Sequence, residues 1–326
     1  MTLLAVEDLT VRFGDAAVVA DVSFELERAG RLGLIGESGS GKSMTALALI
    51  GLLPEEVTVS GRVLFDGHDV ISMSEARRCA LRGDRIGMIF QEPMTALNPV
   101  MRVGNQVAEV VRLHRGGSRR SSHERALELL ERVEFRDPPR IARSYPHELS
   151  GGQRQRIMVA MAVACSPALV LADEPTTALD VTVQAQMLRL LGRLVSEEGA
   201  ALVLISHDLA VVSSTCDRLL VMYGGRIVER GPTATVLERP RHPYTAGLLA
   251  TSSAVSEGAA RGPELPTIRG SVPAAGRFPA GCVFRSRCDR ATDECKTMPP
   301  LEGDEHAFAC WHPIEQPAAA SVGGEA

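Results

Sequence analysis

Apolar positions follow two different rhythms along the chain, and the change of rhythm divides it. Leu3 to Val11 and Val18 to Leu26 are strand-like runs on either side of Gly14-Asp15, which predicts a hairpin. Gly61 to Phe65 followed by Asp66-Gly67 predicts a further hairpin strand. Arg31 to Ile35 is a short apolar run leading into Gly36-Glu-Ser-Gly-Ser-Gly-Lys-Ser43, and the Ala- and Leu-rich Met44 to Leu53 predicts a helix stopped by Pro54. From Val103 to Val133 the period turns helical, with a break at Gly116-Gly117. Strands and helices then alternate: Ala168 to Ala172, a helix near Val183 to Glu198, Ala201 to Ser206, a helix near Leu209 to Cys216, and Arg218 to Met222. This alternation predicts an α/β fold, a parallel sheet with helices on its faces beside a small antiparallel sheet.

Composition narrows the class. The 326 residues are 45% hydrophobic and 23% charged, as in an ordinary globular protein. A net charge of −5 gives no overall attraction to nucleic acid or an anionic membrane, so no nucleic-acid partner is expected. The basic stretch Arg112 to Arg125 reads as a solvated face, because Glu124 and Glu128 interrupt its charge. Ile157 to Cys165 is closed by Ser166-Pro167, far short of the roughly 20 residues needed to span a bilayer. Met1 to Asp8 has acidic Glu7 and Asp8 in place of a basic leader, so a cytoplasmic protein is expected. After Gly231 the composition shifts to Pro, Arg and Gly, and Gln316 to Ala326 has no core-forming pattern, which predicts a disordered tail.

Three motifs carry chemistry. Gly36-x4-Gly41-Lys42-Ser43 has the P-loop pattern, placed between an apolar strand and a helix. Backbone N–H groups and a helix start cradle phosphates there, Lys42 reaches the terminal phosphates and Ser43 ligates Mg²⁺. Of 35 basic residues only Lys42 and Lys296 are lysines, which directs attention to Lys42. Leu169-Val-Leu-Ala-Asp173-Glu174 is an apolar strand ending in two carboxylates, one suited to a metal shell and the next to the γ-phosphate, although such a pair alone also suits an ordinary turn. Leu149-Ser150-Gly151-Gly152-Gln153 offers a second phosphate-binding surface at a helix start.

In this order the three motifs resemble an ATP-binding cassette, over the first 235 residues. The resemblance implies a P-loop NTPase with a RecA-like parallel core, a small antiparallel β subdomain and an α-helical signature subdomain at about 92–160. It implies ATP and Mg²⁺ as ligands, held by Gly36, Glu37, Ser38, Gly39, Ser40, Gly41, Lys42, Ser43 and Met44, with Ser43, Gln91 and Asp173 at the metal. It further implies Phe13 stacked on adenine, Glu174 as general base, His207 as the switch histidine and Asp180 at a dimer interface. Seen alone, Phe13 also leaves simple core open as the lesser reading, and His207 reads rather as a surface residue. Ser150, Gly151, Gly152 and Gln153 of a second cassette would complete each site, so that ATP joins a head-to-tail dimer.

The flanks specify the kind of cassette. Phe90-Gln-Glu-Pro-Met-Thr-Ala-Leu-Asn-Pro99 and Arg239-Pro-Arg-His-Pro-Tyr244-Thr resemble the ATPase subunits of oligopeptide and dipeptide importers, with related nickel and glutathione systems. The match runs to about Pro313, which makes 236–315 a C-terminal extension of the importer type. It implies a second cassette, two membrane-spanning permease subunits, indirectly an extracellular substrate-binding protein, and a peripheral place on the cytoplasmic membrane face. A cassette outside transport would need a long coiled-coil insertion or a second cassette in the chain, and neither is present. The extension holds Cys282, Cys288, Cys295 and Cys310, whereas Cys79, Cys165 and Cys216 are scattered; the odd total disfavours a disulfide framework. The thiols alone leave a [4Fe–4S] cluster, zinc or free cysteines open. Spacing looser than the tight pairs of zinc sites, together with clusters in some members of the importer family, makes [4Fe–4S] the expectation.

Overall fold

The computed structural model describes residues 1–177, 179–256 and 267–315; the tail expected to be disordered lies outside them. β1 (Thr2–Phe13) and β2 (Ala16–Glu27) form the N-terminal hairpin around Gly14. After β3 (Arg31–Ile35), β4 (Val57–Phe65) pairs antiparallel with β1 and turns through Asp66-Gly67 into β5 (His68–Asp69). Asp66 and Gly67 both have positive φ, 53° and 80°, the backbone that a tight hairpin turn requires. The resulting antiparallel sheet has the order β2-β1-β4-β5.

The larger sheet adds β6 (Ile86–Ile89), β7 (Leu169–Asp173), β8 (Ala201–Ile205), β9 (Arg218–Tyr223), β10 (Arg226–Pro232) and β11 (Ala307–Phe308), in the order β11-β10-β9-β3-β8-β7-β6. From β9 to β6 the neighbours are parallel, while β10 and β11 are antiparallel additions at one edge. Every residue of β7 and β8 is buried, as expected of strands covered on both faces. Successive side chains go to opposite cores: Leu169, Leu171, Val203 and Ile205 pack with the antiparallel sheet and the helix Lys42–Leu49. Val170, Ala172, Leu202 and Leu204 pack with the helices of the other face. Strand ends of β3, β7 and β8 thereby converge on one side of the sheet, where the P-loop, Asp173 and Ser206 follow them.

The helical period over 103–133 resolves into Val103–Arg115 and Arg119–Arg132, separated by Gly116 and Gly117 at φ 69° and 94°. Ser118 caps the second helix by accepting from the Ser121 N–H. The basic stretch is solvated, with Arg120 and Arg125 paired to Glu124 and Glu128 along the helix surface. Some elements depart from the sequence reading. The helix expected to reach Leu53 ends at Leu49, because Gly51 takes a left-handed turn at φ 59°. Ile86–Ile89, unmarked by any period, forms β6, with Gly87 so close to the next helix that a Cβ there would lie 2.1 Å from the Ala162 carbonyl oxygen.

Beyond β10 the chain forms the helices Thr233–Glu238 and Pro243–Ser256 and then a loop-rich segment. This segment shares a core with the sheet: Phe278 and Phe284 pack edge-on against Tyr223 at the end of β9, and Tyr244 packs against both Tyr223 and Phe284.

Candidate active site

The loop between β3 and the helix Lys42–Leu49 is fixed by glycines where only glycine fits. At Gly36 a Cβ would lie 2.1 Å from the Met222 carbonyl oxygen, and at Gly41 one would lie 2.6 Å from that of Val18. Gly41, at φ 102°, starts the helix without any side-chain cap, so the first N–H groups of the helix are left for another acceptor. Lys42 is buried; its Nζ donates to the carbonyl oxygens of Gly36 (2.8 Å) and Glu37 (3.0 Å), with Ser40 Oγ at 3.5 Å. Burial lowers its pKa, opposed by the charges of Glu174, Asp173 and Glu37. Ser38, Gly39 and Ser43 lie exposed on the same loop, with Met44 half-buried behind them.

Asp173, the last residue of β7, is buried, and burial raises its pKa. A hydrogen bond with Ser43 and the charge of Lys42 oppose that rise, and Glu174 adds to it. Its Oδ1 is buried without a hydrogen-bond partner. A buried, unpartnered carboxylate oxygen beside a serine hydroxyl is a donor set that fits a hard divalent cation such as Mg²⁺.

Glu174 turns out of the sheet with φ 46°, a left-handed backbone uncommon for this residue type, held by its N–H donating to the Ile205 carbonyl at 2.9 Å. Three groups converge on its Oε2: Gln91 Nε2 at 3.1 Å, Thr177 Oγ1 at 2.8 Å and His207 Nδ1 at 3.4 Å. They come from three separate loops, after β6, β7 and β8. Thr177 escaped the sequence reading, although the hydroxyl pair Thr176-Thr177, one proline beyond the two carboxylates, was a signal for it.

Ser150, Gly151, Gly152 and Gln153 lie elsewhere. Ser150 caps the helix Gly151–Ala162 with a reciprocal box: its Oγ accepts from the Gln153 N–H, and its own N–H donates to Gln153 Oε1. These residues line a cavity of about 570 Å³ with Arg136, Arg140 and Asp180. Asp180 caps the helix Val181–Glu197 through the Val183 N–H at 3.0 Å. The cavity lining, among the described residues, includes none of Gly36 to Ser43. The structure thus brings Lys42, Ser43, Gln91, Asp173, Glu174 and His207 together and keeps Ser150 to Gln153 and Asp180 apart from them.

Comparison with known proteins agrees with both ends of the chain. The ABC transporter family model matches residues 19–177, and the model for the oligopeptide/dipeptide transporter C-terminal region matches residues 228–295. The oligopeptide transport ATP-binding protein OppD of Salmonella typhimurium is 46% identical over 320 residues, which cover 96% of this chain and 95% of that protein. The chain belongs to the ABC transporter family, in its oligopeptide/dipeptide branch. A second relative in that branch, the probable D,D-dipeptide transport ATP-binding protein DdpD of Escherichia coli, is 47% identical over 308 residues and 93% of each chain. Among solved ABC structures, the dimeric post-hydrolysis state of the ATP-binding cassette MJ0796 bound to ADP and Pi matches with a TM-score of 0.64 at 28% identity. It covers 71% of this chain and 98% of that one.

Two expectations for this ABC-family chain change. Phe13 is 46% exposed at the end of β1, which removes the reading of it as core. The expected [4Fe–4S] cluster, with zinc as its alternative, is not supported: among the described residues no group of three or more Cys, His, Asp or Glu is arranged to hold a metal ion. Cys282, Cys288, Cys295 and Cys310 form no disulfide. Burial raises the pKa of Cys282 and Cys288 and pushes that of Cys310 up to about 11. Cys282 and Cys295 join the core cluster as small apolar side chains, with Cys288 packed against it.

Proposed function

We propose that this chain is the ATP-hydrolysing subunit that powers import of oligopeptides or dipeptides through a membrane ABC transporter. The observation that carries this reading is the convergence of Gln91, Thr177 and His207 on one oxygen of Glu174, beside the Lys42 loop. The peptide class is supported by the relatives, one an oligopeptide and one a probable D,D-dipeptide transport protein.

In this reading the loop Gly36 to Ser43 and the N–H of Met44 hold the phosphates of ATP, Lys42 offsets charge on the terminal phosphates, and Phe13 stacks on adenine. Ser43, Asp173 and Gln91 would hold Mg²⁺, which would supply charge neutralisation to the phosphate oxygens. Glu174 orients the attacking water and takes its proton. Gln91 and Thr177 hold the carboxylate by donating to the same oxygen, and His207 reaches it from the exposed side as the switch. Ser150, Gly151, Gly152 and Gln153 close over the γ-phosphate of a second subunit, with Asp180 at that interface. The second subunit is an identical copy or a paralogue. Two permease subunits and, through them, an extracellular substrate-binding protein complete the transporter, with this chain on the cytoplasmic face of the membrane. Among the described residues no helix is long and apolar enough to cross the bilayer. Residues 1–235 form the cassette, with its helical part at about 92–160, and 236–315 the extension.

The test is reconstitution with the membrane subunits in proteoliposomes, measuring uptake of labelled peptides against glutathione and Ni²⁺. ATP-dependent peptide uptake that is lost in Glu174→Gln is expected. Uptake of Ni²⁺ or glutathione alone would move the chain to one of the related import systems.

A further inference from the structure

The phosphate loop and the C-terminal extension are joined by a buried charge pair between residues 250 apart in sequence. Arg287, 5% exposed, places Nη1 2.5 Å from Glu37 Oε2 and Nη2 3.2 Å from Glu37 Oε1, a bidentate fork. Its remaining donors reach the carbonyl oxygens of Arg269 (2.9 Å) and Gly270 (3.3 Å) and the hydroxyl of Tyr223 (3.4 Å). Glu37 is held a second time, its N–H donating to the Tyr244 hydroxyl at 2.8 Å. The carbonyl of this same residue accepts from Lys42 Nζ. The extension therefore grips the loop at the residue that also holds the lysine ammonium in place.

We propose that Arg287 is a positioning residue for the phosphate loop, and that through it nucleotide binding and the order of segment 267–315 favour each other. The inference rests on Gly36 to Ser43 being the ATP phosphate site. A planar guanidinium fixes both the distance and the rotation of the Glu37 carboxylate, which an ammonium would not. Moving Glu37 moves its carbonyl, and with it the Lys42 ammonium. Coupling of this kind is reciprocal: whatever the extension contributes to nucleotide affinity, bound nucleotide contributes to the extension.

Two measurements on the full chain test it: the Kd for a fluorescent ATP analogue with Mg²⁺, and the rate of tryptic cleavage at the exposed Arg269, Arg277 and Arg290 with and without MgATP. In the wild type, MgATP slows cleavage. In Arg287→Met the Kd rises by about 10-fold, KM rises more than kcat falls, and MgATP no longer slows cleavage. Arg287→Lys lies between the two. Wild-type affinity with retained protection in Arg287→Met overturns the proposal. Should Arg287→Met not fold, Glu37→Gln keeps a neutral partner for Arg287; a Kd about threefold weaker with reduced protection is then expected, and unchanged values overturn the proposal. Lys42→Ala separates the premise from the inference. Unchanged MgATP binding there means that the phosphate-site reading fails, whereas lost binding beside an unaffected Arg287→Met removes the coupling alone.

Discussion

Two helices of this protein begin where the chain is rich in glycine and serine, and they begin differently. The helix Lys42–Leu49 starts at a left-handed glycine with no side-chain cap, walled in by the backbone of Val18 and Met222 and by a buried lysine. The helix Gly151–Ala162 starts at an exposed serine that closes a complete capping box on itself. The first leaves its N–H donors open at the end of a tightly built loop. The second has satisfied its own end and presents a finished surface to the outside. The same composition of Gly and Ser thus serves a site that takes its ligand within the chain and a face shaped to close on something beyond it.

The largest effect is expected at the first region. Glu174→Gln should lower kcat for ATP by about 10²- to 10⁴-fold while leaving nucleotide affinity close to wild type, since Lys42, Ser43 and Asp173 are untouched. Phosphate release together with equilibrium binding measures both, and near-normal turnover would sink the assignment of the base. Next comes Ser150→Arg, which should lower turnover at the partner's site on the order of 10²-fold and leave its own site active. Mixed dimers carrying one altered subunit would reveal this, and loss confined to the altered subunit's own P-loop would erase the contrast between the two helix starts. A smaller change, about 10-fold in KM, is expected from Phe13→Ala, because base stacking on an aromatic ring is worth about 1–3 kcal/mol. Unfolding should stay unaffected, as the ring is half exposed; equal ATP and GTP titrations before and after the change would argue against stacking.

The last expectation concerns stability and its pH dependence, not turnover. His242 is buried and its pKa is lowered from 6.5 to about 3 by desolvation, while its Nδ1 accepts from the N–H of Tyr244, the residue whose hydroxyl holds the loop at Glu37. Between those pH values the unfolded chain binds a proton that the folded chain refuses, so stability falls as pH drops from 6.5 toward 3. The slope is at most about 1.4 kcal/mol per pH unit. Denaturant midpoints across this window should show it, and His242→Gln should flatten it. An unchanged slope in the variant would assign the acid sensitivity elsewhere.

What could be read from sequence is local. The P-loop, the Asp173-Glu174 strand end and the helix start at Ser150 each lie within a few residues, and the strand-helix alternation needs only neighbouring positions. Tyr244 and Arg287 were missed because their roles come from segments that meet only after folding, up to 250 residues apart, whereas Thr177 lies only three residues from the Glu174 it holds. β6 escaped because four residues with a glycine carry no period, and β11 because its two residues become a strand only by pairing with β10. The cysteines show a related limit. Spacing along the chain does not say how thiols are arranged in space, and among the described residues no group of three or more Cys, His, Asp or Glu is arranged to hold a metal ion.

β11 also has a bearing on how the protein behaves in a crowded solution. Glu229 and Arg230 of β10 pair with Phe308 and Ala307, and the Ala309 N–H donates to the Val228 carbonyl at 2.8 Å. A two-residue strand therefore occupies the outer hydrogen-bonding row of the sheet at that end, and the opposite border is the four-residue β6. Long open borders recruit other chains edge to edge. By giving up a short piece of itself to the rim, the extension makes the sheet a poor template for self-association, and a chain shortened before residue 307 would lose that protection and tend to aggregate.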